Sequence, residues 1–202
     1  MISYYLFLAS GKNLCDYFVY TCNARDILSR EFIISRKHNR MKAHFLHVLY
    51  GCYAVFLYCI CDGNDSNMFV TLFVGEIELA TGKFTFCNAG HNPIVVKSPD
   101  GNARFLHSRA NLAIGLVDEF EFKKEVLQLE KGTRLILYTD GVTEAEDIDK
   151  NQYGEERLLE FVRNIPENDS SEDVINNLFS SVKVFTGENE QNDDITVLTV
   201  RL

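Results

Sequence analysis

The sequence contains no tryptophan, only three prolines among its 202 residues, and no low-complexity tract. Those absences leave little room for linkers or repeat architecture. Basic residues are in the minority: 20 Lys and Arg stand against 29 Asp and Glu, for a formal net charge of −9. That balance gives no overall attraction to a phosphate backbone, so no nucleic-acid partner is expected. Paired Cys-x-x-Cys spacing is missing too. The six cysteines, at 15, 22, 52, 59, 61 and 87, read as small buried hydrophobes in a reducing compartment, not as a zinc ribbon.

Export and membrane signals are thin. Ile2 to Ala9 is apolar, but no Lys or Arg precedes it and Ser10-Gly11-Lys12 ends it early. Phe45 to Cys61 lacks a formal charge when His47 is neutral, yet it holds Gly51 and three tyrosines and sits at the bottom of the spanning range. It reads as a buried core helix, which disfavours a membrane segment and makes the cytoplasm the expected compartment. What is present is 46% hydrophobic and 12% aromatic residues, enough to build the core of one globular domain.

Texture changes near Met68. Before it, Arg30 to Lys42 is rich in bases, which reads as a solvated helix face, with an anionic partner site as the sharper alternative. After it, the sequence is clearly punctuated. Phe69–Leu79 has the β-formers and alternation of a long strand, Ala80-Thr81-Gly82-Lys83 supplies a turn, and Phe84–Cys87 returns. The tight loop Asn88–Pro93 leads to Ile94–Val96, and Pro99–Asn102 turns into Ala103–Leu106, so an antiparallel meander is expected. Phe120–Leu129 is another strand candidate. Arg134–Tyr138 is continuously apolar after its first residue, the mark of a strand covered on both faces. Leu158, Phe161, Val162 and Ile165 fall at helical spacing before Pro166. Ser170 with Asp173 forms a capping-box pattern ahead of Val174, Leu178 and Val182, and Gly187 can end that helix. Ile195–Leu202 closes the chain as a strand. The fold class is α+β.

The acids that matter stand at strand ends. Asp140 follows the buried run Leu135–Thr139 and precedes Gly141, while Asp193 and Asp194 precede the last strand. If those strands are neighbours, three carboxylates converge on one sheet edge, where they need protons or cations. Oxygen-only ligands select Mg²⁺ or Mn²⁺ over zinc or copper. Read alone, Asp-Gly and Asp-Asp also fit an ordinary turn and a solvated cap.

Four segments, MFVTLFVGEIELATGKFTFCNAGHNP, LEKGTRLILYTDGVTEAED, YGEERL and NDDITVLTVRL, resemble in order and spacing the motifs of the SpoIIE-type branch of the metal-dependent, protein phosphatase 2C-like (PPM) phosphatases. The resemblance covers residues 68–202, with 1–67 a divergent part of the same single phosphatase-like domain (1–202). It implies an α-β-β-α sandwich with a binuclear Mn²⁺ or Mg²⁺ centre. It also implies hydrolysis of phosphoserine or phosphothreonine on a regulatory protein, in this branch often an anti-anti-sigma factor. Residue by residue, it makes Asp140 and Asp193 metal ligands and catalytic residues, Asp194 a hydrogen-bonding neighbour, and Gly141 a point of close backbone approach. Asn88 and His91 belong to a branch-typical loop with no ligand role; for His91 the plainer reading is a histidine bonded within its own turn.

The family's earlier motifs are worn. Gly11–Phe18 (GKNLCDYF) resembles Gly-Asp-x-x-Asp-Phe/Tyr with Asn13 in place of the first Asp and Asp16 retained, and nothing from Tyr20 to Asp62 reads Asp-x-Ser-Gly-x-Gly. Three readings stand: a pseudophosphatase that binds phosphoproteins, a reduced enzyme with Asp16 or Asp26 as substitute ligand and one metal or none, or an altered gene reading over residues 20–60. His44 and His47 share a helix face without a third ligand and read as histidines bordering a core helix. A membrane or thiol-metal module in the Cys/His-rich N-terminal third is a further alternative.

Overall fold

Among the described residues the chain forms eight strands and three helices. The structure, a computed structural model, describes residues 3–10 by their backbone, and residues 69–109, 111–117 and 120–202 in full. Asp16, Asp26, His44, His47 and the Phe45–Cys61 run lie outside the described residues.

Sheet I has the order β1-β2-β3-β6, from β1 (Ser3–Ser10), β2 (Thr71–Glu78), β3 (Lys83–Ala89) and β6 (Glu125–Gln128). Sheet II has the order β5-β4-β7-β8, from β4 (Ile94–Lys97), β5 (Ala103–Leu106), β7 (Arg134–Tyr138) and β8 (Val197–Arg201). Every neighbouring pair is antiparallel. Alternation along the strands divides their side chains between two cores. Between the sheets lie Phe73, Ile77, Phe84 and Phe86 from sheet I with Ile94, Val96, Leu135, Leu137 and Leu198 from sheet II. Phe73, Phe84 and Phe86 stack with ring centroids 5.0–6.3 Å apart. Gly75 makes room for them, because a Cβ there would sit 2.5 Å from Cε2 of Phe84.

The outer face of sheet II (Val95, Ile136, Tyr138, Val197) is covered by α2 (Gly154–Arg163) and α3 (Ser171–Thr186). Leu158 and Val162 are the buried stripe of α2, and Val174, Ile175, Leu178 and Val182 that of α3. The expected capping box is formed: the Asp173 N–H donates to Ser170 Oγ at 3.1 Å and the Ser170 N–H to Asp173 Oδ2 at 3.2 Å. Across the helix pair, Tyr153 Oη and Ser181 Oγ share a hydrogen bond of 2.8 Å.

Three expectations need correcting. The meander does not continue past β3, because β4 joins β7 in the other sheet. The turn after β3 forces this crossing. The Asn88 side chain is bonded to both the N–H and the carbonyl of His91, Gly90 has φ +73°, and Pro93 has no N–H to give a ladder. Second, the strand expected over Phe120–Leu129 is limited to Glu125–Gln128. Upstream, the Asn111 side chain takes the pairing role, accepting from Lys123 N–H at 2.9 Å and donating to Lys123 O at 3.0 Å. Third, Ser3–Ser10, read above only as a short apolar run, is a strand paired from Ser3↔Glu78 to Ser10↔Thr71.

Candidate functional site

β7 is buried at all five positions, and its ladder with β8 ends at Tyr138↔Val197. There the sheet is extended by one side chain. Thr139, with no exposed surface, donates from Oγ1 to Asp194 O at 2.9 Å and accepts at the same oxygen from Thr196 N–H at 2.9 Å. Its own N–H donates to Thr196 O at 3.1 Å. The N–H bond carries the β7–β8 register one residue further, while the two hydroxyl bonds are added to it and lock the chain entering β8 onto the chain leaving β7.

The next residue is Asp140, the first of the single helical turn α1 (Asp140–Thr143). It is half-buried, and Oδ1 accepts from Gly141 N–H at 3.1 Å. Gly141 is buried against the other motif: a Cβ there would lie 2.5 Å from Asp194 O and 3.3 Å from Asp193 O. Only a residue without a side chain permits that approach. Asp193 is exposed; its Oδ1 accepts from Asp194 N–H at 2.6 Å, and its carbonyl accepts from Gln191 Nε2 at 2.7 Å.

The two acidic motifs therefore meet, as their positions at adjacent strand ends implied. The expected cluster of three carboxylates is not formed. Among the described residues, no group of three or more His, Cys, Asp or Glu is placed to hold a metal ion. Asp194 meets Thr139 and Gly141 through its backbone carbonyl, and the residue itself stays exposed. Two carboxylates, Asp140 and Asp193, are left flanking the contact. Oxygen-only donors in that number fit a hard divalent cation that keeps most of its water, as Mg²⁺ does.

The loop Asn88–Pro93 reaches the same end of the fold. Ile94 starts β4 beside the end of β7, since Val95 pairs with Ile136, and Thr71 starts β2 opposite Ser10, the last residue of β1. His91 bridges these ends: its Nδ1 lies 3.2 Å from Thr71 Oγ1, while the buried Nε2 has no partner among the described residues. Burial lowers its pKa from 6.5 to about 4, so the ring is neutral. The His91 backbone is bonded within its own turn, to Asn88, whereas its ring reaches across to Thr71 of β2.

Two supporting residues escaped the sequence reading. Asn111, buried, donates to Asn88 O at 3.1 Å and so fastens the loop to the segment before β6. Thr139 could have been suspected from its place between a buried run and Asp-Gly; nothing in the local pattern marked Asn111. Cys87, half-buried, has its thiol pKa pushed up by burial and by Glu125, which suits a hydrophobe better than a nucleophile.

Comparison with known proteins supplies the family. The model of the family described as Stage II sporulation protein E (SpoIIE) matches residues 41–202. The chain belongs to the SpoIIE family. Protein IcfG of Synechocystis sp. is 36% identical over 103 residues, 51% of this chain and 16% of that protein. Phosphoserine phosphatase RsbU of Bacillus subtilis is 26% identical over 137 residues, 68% of this chain and 40% of that protein. This chain thus spans well under half the length of either relative. Among solved structures, the PP2C phosphatase domain of SpoIIE from Bacillus subtilis superposes with a TM-score of 0.62 at 17% identity, over all of this chain and 63% of that one. The fold is that of PP2C-like phosphatase domains. Among the described residues, no helix is long and apolar enough to cross a membrane.

Proposed function

We propose that this SpoIIE-family chain is a metal-dependent protein phosphatase domain that removes phosphate from phosphoserine or phosphothreonine on a regulatory protein, of the anti-anti-sigma kind. The observation that carries the reading is the contact of Gly141 with the Asp193–Asp194 backbone, which puts both acidic motifs at one point. Asp140 and Asp193 are the proposed ligands of Mn²⁺ or Mg²⁺. Such a cation, when bound, supplies a polarised water and neutralises phosphate charge.

The chain's own part is positioning. The Thr139 bonds and the Gly141 approach hold the Asp193–Asp194 backbone against the turn at Asp140 before any ligand arrives, which suits phosphoryl transfer, where placement and electrostatics dominate. Asp194 holds the backbone at that point. Asn88 and His91 stiffen the loop that crosses between sheets at the same end. The pairing of β1 with β2 supports one domain over residues 1–202, because the N-terminal strand joins sheet I. RsbU is named a phosphoserine phosphatase, which supports the substrate class.

A second reading has its own observation. Among the described residues no group of three or more His, Cys, Asp or Glu is placed to hold a metal ion, which favours a pseudophosphatase that binds phosphoproteins without turning them over. The test is hydrolysis of a phosphoserine peptide with and without Mn²⁺. Manganese-dependent turnover that falls at least a hundredfold in Asp140→Asn and in Asp193→Asn supports the enzyme; peptide binding with no turnover supports the second reading. Asp16→Asn is the natural third arm, since β1 ends at Ser10 at this end of the sandwich.

A further inference from the structure

The opposite end of sheet II carries an arrangement that sheet packing alone disfavours. Lys97 of β4 is directly paired with Arg134 of β7, and Arg134 with Arg201 of β8. Directly opposed residues share a face, so three cations form a row across three adjacent strands. Like charges in such positions repel each other. Arg134 is only 4% exposed. Burial, then the neighbouring Arg201, disfavours its charged form; burial, then Arg134, does the same to Lys97.

The row's hydrogen-bond partners are mainly neutral carbonyls, and the nearby Asp169 carboxylate offsets only part of the burial and repulsion at Lys97 and Arg134. Lys97 Nζ donates to the carbonyls of Arg163 and Ile165 at the end of α2, and Arg134 donates to Asp169 O at 2.7 Å and to Thr199 Oγ1 at 3.5 Å. Arg201 donates to Glu167 O and lies 3.7 Å from the 84% exposed Glu167 carboxylate. These bonds clamp the α2–α3 connection, yet each guanidinium has five N–H donors and most are left over. Beside the row opens a cleft of about 330 Å³, at the small end for ligand pockets. Lys97, Lys131, Arg134 and Arg201 line it against only two carboxylates, Asp100 and Glu167, in a chain whose net charge is −9.

We propose that this cleft is an oxyanion site for a small phosphate-bearing ligand, recognised by the Lys97–Arg134–Arg201 row. Arginine forks match phosphate oxygens in geometry, and a bound dianion would relieve the repulsion within the row. The site is separate from the acidic motifs: Thr139 stands five residues beyond Arg134, about 17 Å along the strand direction.

Full-length protein carrying Asp140→Asn, in chelator, silences the acidic site, so the outcome does not depend on the proposed phosphatase reading. Thermal unfolding is followed against inorganic phosphate, with chloride at matched ionic strength as reference, and a parallel series uses O-phosphoserine. Phosphate-specific stabilisation is expected, with the apparent Kd weakened at least fivefold by Arg201→Gln and by Lys97→Met. Glu167→Gln, which frees Arg201 from its carboxylate, should tighten binding, an effect no folding defect can mimic. Tighter binding of O-phosphoserine than of phosphate identifies a phosphate monoester as ligand, and the reverse identifies free phosphate. Equal stabilisation by phosphate and chloride, or phosphate affinity indifferent to all three substitutions, overturns the proposal.

Discussion

Replacing Thr139 by valine tests the joint between the two acidic motifs with almost no change of shape. The side chain has no exposed surface, and its hydroxyl makes two bonds of 2.9 Å, one donated to Asp194 O and one accepted from Thr196 N–H. Valine removes both and strands a buried N–H beside a partly buried carbonyl. Each of the two lost bonds costs about 1 kcal/mol, and the unsatisfied buried N–H adds about 1 kcal/mol, which gives about 3 kcal/mol in all. For a chain of this size the melting temperature falls about 2–4 °C per kcal/mol, so a drop of about 6–12 °C is expected. Urea unfolding measures the free energy directly, with an unchanged m-value. Thr139→Ser keeps the hydroxyl and should restore most of the loss. A valine variant within about 0.5 kcal/mol of the parent would show that the hydroxyl does not join the motifs.

Other perturbations follow from the same contacts. Gly141→Ala places a methyl 2.5 Å from the Asp194 carbonyl, so the turn must shift and the proposed phosphatase turnover should fall at least tenfold, read by peptide hydrolysis. Gly75→Ala drives a methyl into the Phe84 ring, and overpacking of about 1–3 kcal/mol should appear in urea unfolding. His91 is neutral in the fold, with a pKa of about 4 against 6.5 unfolded, so the unfolded chain binds the extra proton between those values. Its contribution is complete above pH 6.5, declines as pH falls, and levels off below pH 4. At about 1.4 kcal/mol per pH unit the loss across that window is about 3 kcal/mol, so His91→Gln should lose less stability than the parent between pH 7 and 4. An identical acid loss in both proteins would refute this assignment.

Local chemistry made much of the fold legible. The Ser170–Asp173 capping box, the Leu158–Ile165 stripe and the turns at Gly82 and Gly101 lie where their residue types require, because each depends on neighbours within a few positions. The meeting of Asp140 with the Asp193–Asp194 segment was readable from two strand ends and a glycine. What escaped depends on the third dimension. The sheet change after β3 is decided by Asn88 bonding His91 and by which strand lies beside β4. Asn111 acts on residues in three separate segments, Cys87, Asn88 and Lys123. The Lys97–Arg134–Arg201 row exists only once register is known, since no sequence window contains two of its members. The absence of a third carboxylate beside Asp140 and Asp193 among the described residues was invisible for the same reason: the spacing brings the chain segments together but does not say which atom of Asp194 faces inward.

The central claim is that Asp140 and Asp193 together hold a divalent cation. Mn²⁺ binding followed by electron paramagnetic resonance tests it without reference to any substrate. The expected result is saturable binding by the parent chain that weakens at least tenfold in Asp140→Asn and in Asp193→Asn, each still folded by circular dichroism. Binding that survives both substitutions at parental affinity, or no binding by the parent at millimolar Mn²⁺, contradicts it.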